Sequence, residues 1–133
     1  MKRTKLRSRR PQSKKSQCEK LHKKCWQIFS QYIRRKERGV CFSCGVRKDW
    51  KEMDAGHFRH GRLDYDTRNI HCQCTRCNRF LHGNLGVYAE KLVETYGGNI
   101  LMEIHREAAQ IKKWEPQELQ DLIEHYQKEI AKL

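Results

Sequence analysis

Two CxxC pairs, Cys41/Cys44 and Cys74/Cys77, stand at the ends of a 29-residue interval, and no other feature limits the possible folds as much. This is the spacing at which two knuckles supply four thiolates to one tetrahedral zinc ion. A shared metal would draw both ends of the interval together and fold the residues between them as a closed loop. Two redox dithiols are the competing reading. Cys72 and His71, beside the second pair, leave a different ligand choice open. The chain has seven cysteines, an odd number, and no apolar h-region follows its basic start. A reduced, metal-holding chain is therefore expected rather than a disulfide framework.

The charge is as uneven as the cysteine pattern is regular. Of the net +13, residues 1–40 carry 15 Lys and Arg against Glu19 and Glu37, whereas the remainder carries 14 of each sign. A polyanion-binding arm on a nearly neutral body follows, with nucleic acid as the expected partner. Residues 1–16, with eight basic side chains and no acid, cannot bury enough to fold alone and read as a disordered arm. Its Lys2, Arg3, Lys5, Arg7, Arg9, Arg10, Lys14 and Lys15 are candidates for phosphate neutralisation. No apolar run is long enough to span a bilayer, so no membrane partner is expected. With 37% hydrophobic residues in 133, the core is thin, and a metal staple would compensate for it.

Residues 17–133 read as one domain. Over 17–38, Cys18, Leu21, Cys25, Ile28, Phe29, Tyr32 and Ile33 recur at helical spacing and mark an amphipathic helix ending at Gly39. Cys18 and Cys25 read as small core residues, and Trp26 sits at the edge of the stripe. Within 39–84, Trp50–Phe58 alternates as a short strand or hairpin, Asp64–Asn69 is a loop, Ile70 enters the second knuckle, and Thr75–Leu81 resembles the start of a helix. Over 85–133 three helices are expected. One stops at Gly97–Gly98, one contains Ile100, Leu101, Ile104, Ala108 and Ile111, and one opens at Pro116.

Inside the closed loop lie Asp54 and His57, and directly after the last cysteine comes Asn78. Phosphodiester hydrolysis needs a base near neutral pH, which a histidine supplies, and positive charge on the departing oxygen. A carboxylate and a carboxamide can hold a hard divalent cation that keeps several waters and supplies that charge. Asp54 and His57, three apart, face opposite sides of an ideal strand, so Gly56 is expected to bend the chain or the pair to sit on a turn. His60, His71 and His82 are rival candidates for base, phosphate contact or metal ligand. Asn69 either holds the base or pins the loop. Arg59, Arg62, Arg76 and Arg79 are candidates for clamping phosphate, or are a solvated face.

Taken together, CFSCG, DAGHF, LDYDTRNIHCQCTRCN and GNLGVYAEKLVETYGG resemble the phage NinG recombination nucleases, also called Rap, of the HNH or ββα-metal group. The likeness runs from about Trp26 to the C-terminus. It implies an endonuclease acting on branched recombination intermediates such as Holliday junctions and D-loops. It further implies Cys41, Cys44, Cys74 and Cys77 as structural zinc ligands, His57 as general base, and Asp54 with Asn78 as ligands of catalytic magnesium or manganese. His82 is a further candidate for that metal, and Asn69 for a catalytic role. Many HNH nucleases carry an acid or histidine directly before the base, where this chain has Gly56. The Asp54 assignment follows instead the D-x-x-H and CxxCN arrangement of phage resolvases of the endonuclease VII type.

The expected fold is α+β: a zinc-stapled ββα-metal core, an N-terminal amphipathic helix with its arm, and a helical C-terminal region. The expected function is a structure-selective endonuclease cutting branched double-stranded DNA as a homodimer, in the host cytoplasm if phage-encoded. Two other readings remain: an HNH nuclease indifferent to branching, and a zinc-stabilised DNA-binding module without catalysis.

Overall fold

The computed structural model describes residues 10–133; Lys2, Arg3, Lys5, Arg7 and Arg9 of the expected arm lie outside the described residues. Helix α1 spans Lys14–Lys36 and so begins three residues ahead of the expected boundary. Ser13 is the reason. Its hydroxyl accepts a bond from Ser16 N at 3.2 Å, satisfying a first-turn amide that would otherwise have no partner. Lys14 and Lys15 therefore belong to the helix rather than to the arm, and Lys14 pairs with Glu115 at 2.6 Å. Arg10 precedes the helix and is exposed.

The apolar stripe of α1 meets helix α4 (Pro116–Ala131), which opens on Pro116 behind a capping box formed by Glu115 and Glu118. Lys14 meets Glu115 at the start of both helices and Tyr32 meets Tyr126, ring centroids 5.0 Å apart, toward their ends. The two helices thus run side by side in the same direction. Cys25, Phe29, Ile33, Leu119, Ile123 and Ile70 form the largest core, and Cys25 is the small core residue expected.

After α1, Arg38 and Gly39 reverse the chain at φ values of +57° and +66°. The first knuckle follows, closed by a bridge between Val40 and Arg47, and a 3₁₀ turn at Trp50–Glu52 leads into strand β1 (Asp54–His57). β1 pairs antiparallel with β2 (Ile70–Gln73), placing Asp54 opposite Gln73 and His57 opposite Ile70. A π-helical turn at Arg76–Phe80 carries the second knuckle. The helix expected from Thr75 does not continue: His82, Gly83 and Asn84, all at positive φ, break it before α2 (Leu85–Tyr96). Helix α3 (Ile100–Ala108) follows, and Ile111, expected within it, lies beyond its end at 94% exposure.

Gly56 does not bend the strand, as its freedom from a side chain suggested it would. It stays in the ladder opposite His71, and its role is spatial, because an added Cβ would lie 1.8 Å from Gln73 Oε1. Gln73 is fully buried, its amide donating at 2.9 Å to both Ser43 Oγ and Gly83 O. That anchoring leaves the carboxamide oxygen over Gly56.

Candidate metal centre and adjoining cavities

Cys41, Cys44, Cys74 and Cys77 bring their sulfur atoms within 4.8 Å of one another, and no other such cluster of metal-ligating side chains occurs among the described residues. A tetrahedron with Zn–S bonds of about 2.3 Å has sulfur–sulfur edges of about 3.8 Å. Cys44 Sγ and Cys74 Sγ stand 3.7 Å apart, so the cluster is compatible with structural zinc. Three donors already face the sulfurs: Cys44 N to Cys41 and Cys77 N to Cys74, each at 3.5 Å, and Asn84 Nδ2 to Cys77 at 3.6 Å. At Cys41 burial opposes ionisation, yet the amides of Cys44, Cys74 and Ser43 overturn it and bring the thiol down to about 7. Burial pushes Cys77 up to about 12, with the neighbouring thiols adding to the rise. Four thiolates cannot share so small a space without a cation among them.

Cys72 and His71 take no part in this cluster. Cys72 is buried against the knuckles, and its thiol is raised to about 12, first by burial and then by the Glu37 carboxylate. Glu37, where α1 ends, accepts from Cys72 N and from His71 Nδ1, both at 3.1 Å. The imidazole of His71 also stacks on Phe42, centroids 3.9 Å apart, and meets Tyr96 Oη at 3.2 Å. His71 is therefore a buried strut between α1, β2 and α2.

On the other side of the hairpin, His57 is sandwiched between Trp26 and His60, with ring centroids 4.6 and 4.7 Å away. Its Nε2 lies 3.1 Å from Asp64 Oδ1. A carboxylate at Nε2 favours the tautomer with the proton there and leaves Nδ1 as the lone-pair nitrogen. His57 opens onto two cavities. One, of about 610 Å³, is shared with His22, Trp26, His60, Asp64 and Tyr65. The other, of about 380 Å³, brings His57 and His60 together with Asn78, Arg79 and His82.

Asp54 lines a third cavity with Trp26, Arg34, Asn78 and Arg79. The strand alternation thus holds: Asp54 and His57 face different spaces, and Asn78 and Arg79 are walls common to both. Asp54 Oδ2 accepts from Asn78 Nδ2 at 3.1 Å, and Oδ1 from Arg79 Nη2 at 3.2 Å. Both oxygens of Asp54 thus accept hydrogen bonds, and Asn78 turns its amide nitrogen rather than its oxygen toward the carboxylate. The Arg79 guanidinium already supplies one positive charge to the carboxylate.

Asn69 is fully buried and pins the loop: its Oδ1 accepts from Arg59 N at 2.9 Å, and its Nδ2 donates to the carbonyls of Arg59 and Leu63 at 2.7 and 3.1 Å. The segment bearing His60 is held by these bonds. Tyr88 braces both strands from beneath, donating to Gly56 O at 2.8 Å and to Asn69 O at 3.2 Å. Arg76 and Arg59 are exposed, the latter over the Phe58 ring. Arg62 is bonded to Gln110 and borders a separate cavity with Trp114.

Three contributors were not anticipated from the residues alone. Asp64 sits in a loop read only as polar, Trp26 reaches His57 from the edge of the α1 stripe, and Glu37 is one charge in a basic run. For Asp64 a signal existed, an acid inside the loop that also holds His57 and Asn69. For Trp26 and Glu37 the partners are too distant in the chain.

No solved structure matches the chain. The protein ninG of Salmonella phage P22 is 33% identical over 116 residues, 84% of this chain and 56% of that protein. The corresponding proteins of Escherichia phage 933W and Escherichia phage lambda are 32% and 31% identical, again across 84% of this chain and covering 57% and 56% of their own lengths. The chain spans about half the length of the curated relatives it matches. The family model described as Bacteriophage Lambda NinG protein matches residues 1–133, and the chain belongs to the NinG family.

Proposed function

We propose that this protein is a structure-selective DNA endonuclease of the HNH type that cleaves branched intermediates, Holliday junctions and D-loops among them, by divalent-metal-dependent hydrolysis. The observation that carries the reading is the cavity where His57, His60, Asn78, Arg79 and His82 converge, with Asp54 bonded to its Asn78 wall. The opening CFSCG, DAGHF and CQCTRCN motifs, in a member of the NinG family, support it from the sequence side.

In this reading Asp64 holds the Nε2 proton of His57, and the Nδ1 lone pair takes a proton from water as its oxygen bonds to phosphorus. The P–O3′ bond breaks and the departing oxygen takes a proton from solvent water, leaving a 5′ phosphate and a 3′ hydroxyl. Asp54 and Asn78 would hold magnesium or manganese, with His82 on the cavity wall as a further donor. The ion, when bound, supplies charge to the phosphate and the departing oxygen. Arg79 contributes charge at the same wall, and Asn69 keeps the His60 segment in place. Arg10, Lys15, Arg59 and Arg76, with the basic residues ahead of them in the chain, bind backbone phosphates in a salt-dependent manner. Paired cuts across a four-way junction need two such sites, hence a homodimer.

The test is cleavage of a labelled immobile four-way junction beside a matched linear duplex, with magnesium or with calcium, by the native chain and by His57→Ala. Paired magnesium-dependent cuts on the junction, lost in the variant while binding persists, are expected. Equal cutting of both substrates would leave a nuclease without branch selectivity. Binding with no cutting in magnesium, or when manganese replaces it, would mean a zinc-held DNA-binding module.

A further inference from the structure

The end of α1 and the turn after the first knuckle together build a second basic surface. Trp50 lies at its centre, with the guanidinium carbons of Arg34 and Arg35 5.2 and 5.7 Å from its ring centroid and Lys51 Nζ at 5.9 Å. Beside the ring, Arg38, Arg47 and Lys48 border an open cavity of about 520 Å³. Among the described residues, no carboxylate oxygen comes within 4.0 Å of the charged side-chain nitrogens of Arg35, Arg38, Arg47, Lys48 or Lys51. The nearby acids are committed elsewhere: Asp49 accepts from Lys51 N at 2.9 Å, and Glu37 from His71 and Cys72 N.

This concentration of charge is held by the backbone. Gly39 N donates to Arg34 O and Lys48 N to Gly39 O, each at 3.0 Å, and Val40 bridges Arg47. Only glycine fits at the crossing, since φ is +66° and an added Cβ would stand 2.0 Å from Lys48 O. The fold therefore holds these cations close together, and the single Asp49 carboxylate that also lines the cavity offsets only part of their mutual repulsion.

The surface is continuous with the candidate site. Arg34 lines the cavity of Asp54, Asn78 and Arg79, and its Nη1 donates to Trp50 O at 3.3 Å and Met53 O at 3.4 Å. With guanidinium groups lying over it, Trp50 orients cations rather than offering a free face for a base.

We propose that the surface formed by Arg35, Arg38, Arg47, Lys48 and Lys51 around Trp50 binds the phosphate backbone of a DNA arm that runs from the Asp54–Asn78 cavity past the first knuckle. The contact is with phosphates and is sequence-blind. The direction of the arm rests on the nuclease reading; the surface itself needs only that the protein binds DNA.

The experiment is binding of a labelled linear duplex and a labelled four-way junction in calcium, across a salt series. The native full chain is compared with Arg38→Ala/Arg47→Ala/Lys48→Ala and with a charge-matched control, Arg106→Ala/Lys113→Ala/Lys128→Ala. Thermal melts establish that each variant is folded. The first triple variant is expected to lose about 10- to 100-fold in affinity at 0.1 M salt, and to flatten the log–log salt slope by about 2–3. Unchanged affinity and slope, or an equal loss in the control, overturns the proposal. Native chain that binds through this surface in calcium but cleaves nothing when magnesium replaces the calcium would sink the nuclease reading and leave the surface standing. Cleavage by a patch variant of full affinity would do the reverse, and native chain that binds neither DNA refutes both.

Discussion

The two sides of the β1–β2 hairpin are held by different physics. On the knuckle side, four sulfurs within 4.8 Å and the amides aimed at them form a cluster compatible with a structural zinc ion. On the other side, His57 is positioned by ring stacking and a single carboxylate, contacts that stand without any metal. The two sides are thereby held independently: the clustered thiols fix the knuckle end of the hairpin, while stacking and one carboxylate hold His57.

The sharpest way to break that division is Cys74→Ser. Loss of one thiolate from a structural zinc site should remove about 5 kcal/mol or more of stability, read as loss of a cooperative melt and of one zinc per chain by native mass spectrometry. A variant that melts normally without zinc would mean that the cluster is not the staple. Between the two sides sits Gly56. Gly56→Ala drives a methyl group into the buried Gln73 carboxamide and should cost about 2–3 kcal/mol in denaturant unfolding. Gln73→Ala in the same chain should recover much of that loss; strict additivity would show that the crowding lies elsewhere. The smallest expected change in stability is at Asp64. Asp64→Asn should leave the melt within about 0.5 kcal/mol while slowing junction cleavage roughly tenfold or more, by releasing the His57 tautomer. Cleavage at the native rate would mean that Asp64 does not orient the base.

What could be read from the chain beforehand follows the reach of each interaction. The CxxC pairs are short-range motifs, and they identified the four clustered thiols and excluded nothing that the fold later required. Periodicity located α1, α2 and α4, since burial of one face is a local property. Asn69 was narrowed to two roles, and its three bonds to the 59–63 segment favour the pinning one. By contrast, Glu37 caps β2 from 35 residues away and Trp26 stacks on a histidine 31 positions later. No local pattern encodes such partners. The expected bend or turn at Gly56 assumes that Asp54 and His57 share one face; the strand stays regular, the two face different cavities, and Gln73 occupies the space of a Gly56 Cβ.

The carboxylate of Glu37 also determines where the chain tolerates a change in length. It reaches across to Cys72 and His71 only four residues ahead of Cys41, and Gly39 between them is locked against Lys48. One residue inserted there would displace either the carboxylate or Cys41. Between α3 and α4, around the exposed Ile111, the contacts are side-chain ones, Arg62 with Gln110 and Lys112 with Glu118, rather than a backbone crossing. Insertions and deletions within this chain should therefore accumulate before Pro116 and be excluded between Glu37 and Cys41.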